Sequence, residues 1–494
     1  MTQEHWHDRA RKLQIDGRAV VDGRRVDPSM GGRFDVTNPA DGKVVAQLAD
    51  GAEPAVQAAV RAARAAFEDG RWSLLAPTER AAQVVAWAEL VAQERQSLAL
   101  LDSLQMGMPM SWGADDLLMA TDAVRAMGAL APTLRDELAP GVPSAMSMNL
   151  RAPHGVVGIL SPWNFPTFIA LQKVAAALLM GNTVVLKPSE VAPLACLRLG
   201  DLASQAGIPA GVLNVVPGLG ATAGRALALH ADVNALSFTG STATGLLLMQ
   251  YAGQSNLKAL MLECGGKSPQ VVLGDMGNLD ALSDALVQGF TFNTGQVCVA
   301  GTRILVPRGL LADLQPRLIE RMAALRVGHP FDEDTTVGPL ASAAQHRRVT
   351  ALVEAARSRG VVLHQPGTTP GGLHFPATLA TGMGPDDELV QEEIFGPVAA
   401  LLPFDTPEEA VALANRSRYG LAATVWSQDV AHGYRVAQQI RAGHVTVNAA
   451  VQPGGAKALH GGSEPVGMSG FGAEGGAAGL RAMTRLRSIE IHTV

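Results

Sequence analysis

Apolar and polar residues follow two periods along the chain, and the change of period predicts the elements of the fold. From about residue 155, short and fully apolar runs alternate with longer helical patterns. The apolar runs predict strands at residues 156–160, 183–187, 213–216 and 235–238. The helical patterns cover residues 168–180, residues 192–206 and a stretch that ends near His230. Fully apolar strands joined by helices indicate a parallel sheet covered on both faces, which binds ligands at the carboxyl ends of its strands.

Weaker patterns surround this central region. Turn signals between short apolar stretches predict a small strand-rich entry in roughly the first forty residues. A helix through Val56 and Phe67 is predicted to stop at Gly70, and Thr78 is the predicted cap of the next helix. Residues 486–492 alternate between apolar and polar side chains, which predicts a half-buried strand.

Composition narrows the class of protein. A chain of 494 residues, 47% hydrophobic and 17% charged, predicts a globular protein of two or three domains. The net charge of −6 gives no general attraction to nucleic acid or to an anionic membrane, and no apolar run is as long as a membrane span. The N-terminus lacks an apolar export signal and the chain has three cysteines, so we expect a cytoplasmic protein. His5 and His7 have no partners in metal-site spacing, so we predict a mobile terminus there and no metal site.

Cys298 is the first candidate for chemistry. The three cysteines are too few for a disulfide framework, so each is either a core residue, a reactive thiol or a ligand. Residues 295–298 read GQVC and Gly301 follows, so backbone without side chains would let a substrate approach this sulfur. An apolar face over residues 282–290 predicts a helix that leads into the turn. This stretch alone favours a buried packing role, because free cysteine is among the most buried residue types.

Two polar side chains follow other predicted strands. Asn164 lies in residues 161–166 (SPWNFP), where two prolines fix a turn and an amide can donate to a developing oxyanion. Glu263 lies in residues 262–267 (LECGGK), where a carboxylate beside two glycines can turn toward a substrate and activate water. Each also has a structural interpretation, as a turn-forming asparagine and as an ordinary loop acid.

Two further strand ends suit a dinucleotide. Residues 238–245 (FTGSTATG) follow a strand and open a helix, so phosphate oxygens could meet backbone N–H groups at the helix N-terminus. The spacing differs from the usual GxGxxG fingerprint, and glycine-rich turns also occur for geometric reasons. Lys187 and Glu190 end another strand, where they could bind the two hydroxyls of a ribose or form an exposed charge pair.

These stretches, taken in order with residues 392–397 (EEIFGP), resemble the aldehyde dehydrogenase superfamily over nearly the whole chain. The resemblance implies that Cys298 is the nucleophile, Asn164 the oxyanion donor and Glu263 the general base. It also implies NAD as cofactor, with NADP as an alternative. The residues that the resemblance places against the cofactor are Trp163, Lys187, Ser189, Glu190, Gly220, Gly240, Ser241, Gly245, Glu393 and Phe395. We expect a preference for NAD, because a carboxylate at position 190 repels a 2′-phosphate.

The fold implied by the resemblance is α/β with three parts. The first is a Rossmann-type parallel-sheet dinucleotide-binding domain, residues 1–130 and 152–261. The second is an α/β catalytic domain, residues 262–446. The third is a small β oligomerisation element, residues 131–151 and 478–494, which implies a homodimer or a homotetramer.

Residues 447–477 are expected to return the chain and to form the substrate entrance, and here the sequence departs from the family. Residues 461–476 contain additional residues and many glycines but no lysine, and Ala473 stands where arginine is common. The glycines predict a loop. This departure affects the expected geometry of the entrance and leaves the expected chemistry unchanged.

The implied reaction oxidises an aldehyde to a carboxylic acid and needs no metal. The thiolate adds to the aldehyde carbon, hydride leaves to the nicotinamide, and water hydrolyses the resulting thioester. Three alternatives are a thiol esterase without redox chemistry, an inactive binding protein with this fold, and acyl transfer to coenzyme A. The cofactor residues argue against the first, and the joint presence of Cys298, Asn164 and Glu263 argues against the second. The presence of a general base suited to hydrolysis argues against the third.

The substrate class stays open at this point. Residues 72–77, 252–256 and 295–303 most resemble the branch that oxidises ω-amino and γ-glutamylamino aldehydes. A cationic substrate favours an acid in its tunnel, and Asp115 and Asp116 lie where the tunnel-lining helix of the family is expected. Four nearby methionines would instead form an adaptable apolar pocket for a general aliphatic or aromatic aldehyde: Met106, Met108, Met110 and Met119.

Overall fold

The computed structural model describes residues 3–27, 32–139, 144–449 and 462–492, without the side chains of residues 3–5. The predicted α/β fold is confirmed, because parallel strands alternate with helices through most of the chain. Within these ranges, no helix combines the length and the apolar character that crossing a membrane requires.

The elements follow one another in two sets. The α-helices are α1 Gln3–Lys12, α2 Ala52–Glu68, α3 Pro77–Gln93, α4 Arg95–Met106, α5 Met110–Leu130, α6 Pro166–Leu179, α7 Leu194–Gln205, α8 Arg225–Leu229, α9 Thr242–Gln254, α10 Leu279–Thr291, α11 Leu311–Ala323, α12 Ala343–Ser358, α13 Glu388–Gln391, α14 Pro407–Asn415, α15 Val430–Ala437 and α16 Gly476–Ala482. The strands are β1 Ala19–Val21, β2 Arg24–Val26, β3 Arg33–Thr37, β4 Val44–Ala49, β5 Glu137–Ala139, β6 Ala145–Pro153, β7 Val156–Ser161, β8 Thr183–Pro188, β9 Leu213–Val215, β10 Ala235–Thr239, β11 Ala259–Glu263, β12 Pro269–Val272, β13 Arg303–Pro307, β14 Val362–His364, β15 Thr378–Thr381, β16 Val398–Phe404, β17 Tyr419–Gly420, β18 Ala422–Trp426, β19 His444–Val447, β20 Val466–Gly467, β21 Gly470–Phe471 and β22 Thr484–His492. A π-helical turn, Gly220–Gly224, precedes α8, and a 3-10 segment, Phe292–Gly295, follows α10.

The first large sheet has the strand order β2-β1-β9-β8-β7-β10-β11-β21. Its centre, from β9 to β11, is parallel, and the strands at both edges are antiparallel. Leu160 pairs with Lys187 on one side and with Phe238 on the other, and Thr239 pairs with Glu263. This register brings the carboxyl ends of β7, β8, β10 and β11 to one edge, where parallel sheets bind ligands.

The second large sheet has the strand order β14-β15-β16-β13-β12-β18-β19 and is parallel except for β14. It begins directly after the first sheet, because β11 ends at Glu263 and β12 starts at Pro269. The apolar face predicted over residues 282–290 lies on α10, with Leu286 and Phe290 in the core above this sheet. Cys298 lies between α10 and β13, and Gly266, which connects the two sheets, packs on its backbone.

The tail strand β22 pairs antiparallel with β6 over its whole length, and β5 completes a separate small sheet. The predicted tail strand is therefore present. Its side chains are largely exposed instead of half-buried, because no described segment of this chain forms a second layer over them. The domain boundaries proposed from the sequence remain predictions, and α16 spans the expected boundary between residues 477 and 478.

The segment expected to form the substrate entrance is more regular than a plain loop where it is described. Residues 450–461 lie outside the described ranges. Beyond them, β20 pairs with β17, and β21 extends the first sheet by pairing antiparallel with β11. Gly470 fits there only without a side chain, because an added Cβ would lie 1.9 Å from the carbonyl oxygen of Leu262.

The N-terminus differs from its prediction. Residues 3–12 form α1, in which Trp6 is buried and Arg9 donates hydrogen bonds to Gln96 Oε1 and Ser97 Oγ, both at 3.1 Å. The expectation of a mobile terminus is therefore wrong for this segment. The burial of one tryptophan side chain against an apolar surface from elsewhere in the chain stabilises this segment, although most of its residues are polar.

The predicted cap of the second helix is also wrong. α3 begins at Pro77, which precedes Thr78, and its first turn is closed by Glu79. The Glu79 carboxylate accepts a hydrogen bond of 2.7 Å from the backbone N–H of Ala76. Proline is favoured at the first helical position because its missing N–H has no partner there in any helix.

Candidate active site

The turn that leads to Cys298 has a strained backbone. Asn293, Thr294 and Gly295 have left-handed φ values of 48°, 58° and 69°. Such a conformation costs on the order of 1–3 kcal/mol for a residue with a side chain, and a β-branched residue rarely adopts it. Gly295 cannot be replaced, because an added Cβ would lie 2.3 Å from the carbonyl carbon of Gly396. The surroundings therefore determine the path of the chain into Cys298.

Asn164 is tied to this turn by reciprocal hydrogen bonds. Its buried side-chain amide donates to the carbonyl oxygen of Gln296 at 2.8 Å, two residues before Cys298. Asn293 donates from its own amide to the carbonyl oxygen of Asn164 at 2.9 Å. An amide nitrogen carries two N–H groups, so one bond does not exhaust its capacity to donate. The Asn164 amide is thus held against the turn that leads to Cys298 and can still donate a second hydrogen bond.

The segments that carry Cys298 and Glu263 meet at a glycine between the two sheets. Cys298 is half-buried and forms no disulfide. Gly266 packs on its backbone so closely that an added Cβ would lie 2.3 Å from the carbonyl oxygen of Cys298. Glu263 is buried at the end of β11, and its carbonyl oxygen accepts a hydrogen bond of 3.0 Å from the N–H of Gly240. The predicted nucleophile, oxyanion donor and base therefore lie on segments in direct contact.

The residues predicted for the nicotinamide side lie against the same glycines. Glu393 Oε1 accepts a hydrogen bond of 2.9 Å from the N–H of Gly266, and the carboxylate fills the space that a side chain at Gly265 would need. Burial raises the pKa of Glu393 to about 7. The rings of Trp163 and Phe395 meet edge to face at 5.3 Å, and Phe395 has a φ of 58°.

The residues predicted for the adenosine side form a second group. Lys187 is buried at the end of β8, and its Nζ lies 3.1 Å from Glu190 Oε2. Burial lowers the pKa of Lys187, and the nearby Glu190 partly offsets this. Ser189 Oγ accepts from the N–H of Val191 at 3.3 Å, so it shapes the turn. Gly220 is exposed, and a Cβ added there would meet no atom within 4 Å, so a ligand could approach its backbone closely.

The glycine-rich turn after β10 has the form expected of a phosphate site. Ser241 caps the 13-residue helix α9 by accepting from the N–H of Thr244 at 3.3 Å. Gly245 packs on Cys264, whose Sγ would lie 2.6 Å from an added Cβ. The N-terminal end of α9 carries a partial positive charge that suits a pyrophosphate. With Lys187, Glu190 and the open space at Gly220, these residues fit a dinucleotide.

A buried ion pair behind the edge was not predicted from the sequence. Lys173 on α6 is buried, donates to Ser237 Oγ at 3.1 Å and contacts the carboxylate of Glu474. A lysine within the apolar pattern of residues 168–180 was the available signal, because a buried charge needs a partner. The partner lies 301 residues away and could not be identified from spacing.

Helix α5 contacts the segment that precedes the strained turn through an aromatic ring. The ring of Trp112 meets Phe292 edge to face at 5.1 Å, and Phe292 stacks on Phe165 at 6.1 Å. Phe292 precedes the strained turn, and Phe165 follows Asn164. Asp116 lies one helical turn after Trp112 and therefore on the same face of α5.

The two aspartates of α5 differ sharply in environment. Asp115 is exposed, whereas Asp116 is buried. Burial, together with the nearby Asp102 of α4, raises the pKa of Asp116 well above its usual value. Asp102 is buried too, which raises its pKa to about 7. The neighbouring methionines are buried at positions 106, 108 and 110 and half-buried at position 119.

Three half-buried side chains elsewhere resemble a metal site. The ligand atoms of His7, His329 and Asp332 lie within 4.8 Å of one another. The backbone N–H of Phe331 donates to His329 Nδ1 at 3.1 Å, so the neutral ring carries its proton on Nε2. A metal at this ring would have to break that arrangement, and we assign no metal site to the cluster.

The fold and the site define a class of protein, an α/β oxidoreductase that holds a dinucleotide at the carboxyl edge of a parallel sheet. The chain belongs to the aldehyde dehydrogenase family, whose model matches residues 26–489. It is an NAD(P)-dependent aldehyde dehydrogenase with NAD as cofactor, and it catalyses aldehyde oxidation.

Individual relatives are similar over at least nine tenths of the chain. Aminoacetaldehyde dehydrogenase of Pseudomonas aeruginosa is 41% identical over 453 residues, which cover 91% of this chain and 90% of the relative. Indole-3-acetaldehyde dehydrogenase of P. syringae, solved with NAD+, matches at 40% identity with a TM-score of 0.96, covering 100% of both chains. The γ-glutamyl-γ-aminobutyraldehyde dehydrogenase of Burkholderia cenocepacia matches at 39% identity with a TM-score of 0.95, also over 100% of both chains.

Proposed function

We propose that the enzyme oxidises its aldehyde through a covalent thioester on Cys298. The observation that carries the proposal is the hydrogen bond from the Asn164 amide to the carbonyl oxygen of Gln296, two residues before Cys298, with a second bond from Asn293 to the backbone carbonyl of Asn164. In its thiolate form the sulfur adds to the carbonyl carbon, and the carbonyl oxygen becomes an oxyanion. A preorganised amide donor at that oxygen stabilises the transition state by about 3 kcal/mol.

The cofactor sits along the same edge in this proposal. When bound, the nicotinamide accepts the hydride that leaves the tetrahedral carbon. Glu393 and Phe395 would hold its ribose side, the N-terminus of α9 would hold the pyrophosphate, and Lys187 with Glu190 would hold the adenosine ribose. The placement is supported by the parallel order β9-β8-β7-β10-β11, which puts Lys187 and the turn after β10 at the carboxyl ends of one sheet, and by the contact of Glu393 with Gly266 after β11.

Glu263 completes the cycle by hydrolysis. Its carboxylate takes a proton from water, hydroxide adds to the thioester carbon, and the carbon–sulfur bond breaks to release the acid and the thiolate. A thiol esterase would have no use for the cofactor residues. Following NADH absorbance with a panel of aldehydes and both nicotinamide cofactors tests the proposal, and hydrolysis of esters without any NADH formation would refute it.

We propose further that the preferred substrate is an aminoaldehyde. Asp116 and Asp102 are both buried, and burial together with the nearby Asp102 raises the pKa of Asp116, so two negative charges there would be costly. An ammonium group entering between α5 and the aromatic rings would offset this cost by a direct charge–charge attraction. The relatives named for aminoacetaldehyde and for γ-glutamyl-γ-aminobutyraldehyde support the same substrate class.

Asp116→Asn should lower kcat/KM for 3-aminopropanal about fivefold and leave butanal nearly unchanged. The carboxylate–ammonium contact at this buried carboxylate is worth ~1 kcal/mol, because the cost of desolvating both charges offsets much of their attraction, and only the charged substrate loses it. Steady-state kinetics with the two substrates of equal length provides the measurement. Asp115→Asn is the matched control, because it removes the same charge from the exposed neighbour. Equal losses for both substrates would mean that Asp116 acts only through packing.

An uncharged aldehyde is the second candidate. The rings of Trp112, Phe292 and Phe165 and the buried methionines of α4 and α5 offer an adaptable apolar surface. The similar P. syringae enzyme is named for indole-3-acetaldehyde, an aromatic substrate. Comparable kcat/KM for 3-aminopropanal and butanal in the unmodified enzyme would favour this candidate.

We propose that the small sheet of β5, β6 and β22 joins two subunits. Its cross-strand register places apolar side chains on one face, including the pair Met146 and Ile491, both about half exposed. A contiguous exposed apolar face of this kind marks an interaction site. The family resemblance supports a homodimer or a homotetramer.

Ile491→Asp should therefore reduce the assembly to a smaller species. A charge at the centre of an apolar interface costs several kcal/mol, because it is desolvated without a partner. Light scattering coupled to size exclusion gives the mass directly. Ser488→Asp, on the opposite face of the same strand, is the control and should leave the mass unchanged. A monomeric unmodified enzyme would contradict the proposal outright.

A further inference from the structure

The carboxylate of Asp50 joins segments that are distant in sequence. Asp50 lies between β4 and α2 and is buried. Its Oδ1 accepts hydrogen bonds from the backbone N–H of Ala52 at 3.2 Å and of Leu219 at 3.1 Å. The hydroxyl of Thr222 lies 2.9 Å from Oδ1 and 2.6 Å from Oδ2. A buried carboxylate needs several donors, and this one takes two of them from a single turn, residues 216–222.

The turn of residues 216–222 borders the adenosine group described above. The N–H of Val216 donates to the carbonyl oxygen of Leu186 at 2.9 Å, one residue before Lys187. Gly220, within the turn, faces open space. Asp50 also favours the charged form of Lys187, acting against the lowering of its pKa by burial. The turn therefore forms one wall of the space beside Lys187.

The backbone around Asp50 is tight, so the carboxylate has little freedom. The N–H of Gly51 donates to the carbonyl oxygen of Pro217 at 3.0 Å, and an added Cβ at Gly51 would lie 2.7 Å from that oxygen. Ala52 has a left-handed φ of 40° at the start of α2. Such strain persists only where the surrounding contacts determine the conformation. The junction thus holds the turn of residues 216–222 in one place.

We propose that Asp50 is a positioning residue for the adenosine half of the cofactor. Buried behind the turn, it acts through Leu219 and Thr222 by keeping the wall of the site in its binding conformation. Preorganisation of this kind increases affinity because less conformational freedom is lost on binding. It leaves the chemical step at Cys298 unchanged. The inference rests on the proposed placement of the adenosine between Lys187 and Gly220.

The test compares Asp50→Asn with the unmodified full-length enzyme. The dissociation constants of NAD+ and of AMP are measured by calorimetry, and kcat is measured at saturating NAD+. We expect Asp50→Asn to bind both ligands about tenfold more weakly, because the charged acceptor is lost and the amide N–H of asparagine then faces other donors. The kcat and the KM for aldehyde should stay within about twofold of the unmodified enzyme. Glu53→Gln removes an exposed charge from the first turn of the same helix and should bind both ligands normally.

Thr222→Val provides a second variant that leaves the buried carboxylate in place. It should weaken AMP binding about threefold, and adding it to Asp50→Asn should have little further effect, because both act on one hydrogen-bonded unit. Unchanged AMP affinity in folded Asp50→Asn, or in Thr222→Val where the first variant does not fold, would overturn the inference. A lower kcat with unchanged affinity would do the same. Failure of the proposed function is a separate result, namely no NADH from the unmodified enzyme with any aldehyde.

Discussion

Cys298→Ala should abolish aldehyde oxidation and leave NAD+ binding nearly unchanged. In the proposed mechanism the sulfur forms the only covalent bond to the substrate, and loss of a catalytic nucleophile costs on the order of 10⁴ or more in kcat. The backbone that leads to position 298 is held by the hydrogen bond from Asn164 to Gln296 and by the packing of Gly295 on Gly396. NADH formation and calorimetric titration with NAD+ measure the two properties separately.

Cys196→Ala is the matched control for this variant. Cys196 is buried on α7, where burial raises the pKa of its thiol far above neutral pH, so it does not act as a nucleophile. This variant should keep its kcat and lose only some stability, because a buried sulfur is removed. More than a trace of turnover in Cys298→Ala, or loss of activity in Cys196→Ala alone, would contradict the assignment of the nucleophile.

Glu263→Gln should convert steady turnover into a single burst of NADH. The amide can occupy the position of the carboxylate but cannot take a proton from water, so the thioester forms and then persists. General base catalysis contributes roughly 10²–10⁴ in rate, and the steady state should fall by that factor while the burst remains. Stopped-flow absorbance at saturating NAD+ resolves the burst, whose amplitude should approach one NADH per active site.

The NADH burst distinguishes a role of Glu263 in hydrolysing the thioester from a role in deprotonating Cys298. A steady-state rate cannot distinguish the two roles. A missing burst would place Glu263 before hydride transfer, as the group that deprotonates Cys298, and would contradict the hydrolytic role. Glu392→Gln is the control. Glu392 is half exposed and pairs with Arg418 at 2.7 Å, and it has no proposed part in the reaction. Its variant should show ordinary steady turnover.

The aminoaldehyde proposal and the Asp50 inference depend on contacts of different kinds. Asp116 would contact the substrate directly, so the effect of Asp116→Asn is measured as the ratio of kcat/KM between the charged and the uncharged aldehyde. Asp50 is buried behind the turn of residues 216–222, so the effect of Asp50→Asn is measured as a change in the dissociation constants of NAD+ and AMP. Neither result depends on the other.

The sequence by itself determined the central architecture and the edge where the chemistry lies. Apolar runs fix strands because a parallel sheet buries both faces, and β7, β8 and β10 lie where those runs predicted them. Once parallel order is known, residues at strand ends must share one edge. That is why Asn164, Lys187 and Glu263 could be grouped before any coordinates, and why ordered motifs identified the family.

The tertiary structure decided whatever depends on contacts between distant segments. Periodicity could place Asp115 and Asp116 on a helix, but only the packing of α4 against α5 shows that one is exposed and the other buried beside Asp102. The left-handed path through Asn293 and Thr294 is likewise unfavourable locally and exists because Asn164 and Gly396 hold it.

Contacts between residues far apart in sequence also explain the other features that the sequence did not predict. Lys173 and Glu474 are 301 residues apart, and Asp50 and Thr222 are 172 apart, so no local pattern connects either pair. Trp6 anchors α1 on a surface that its own segment does not contain. Local sequence sets the preference of each segment for helix or strand. Burial, ion pairing and backbone strain are properties of the packed whole, and only the folded chain could supply them.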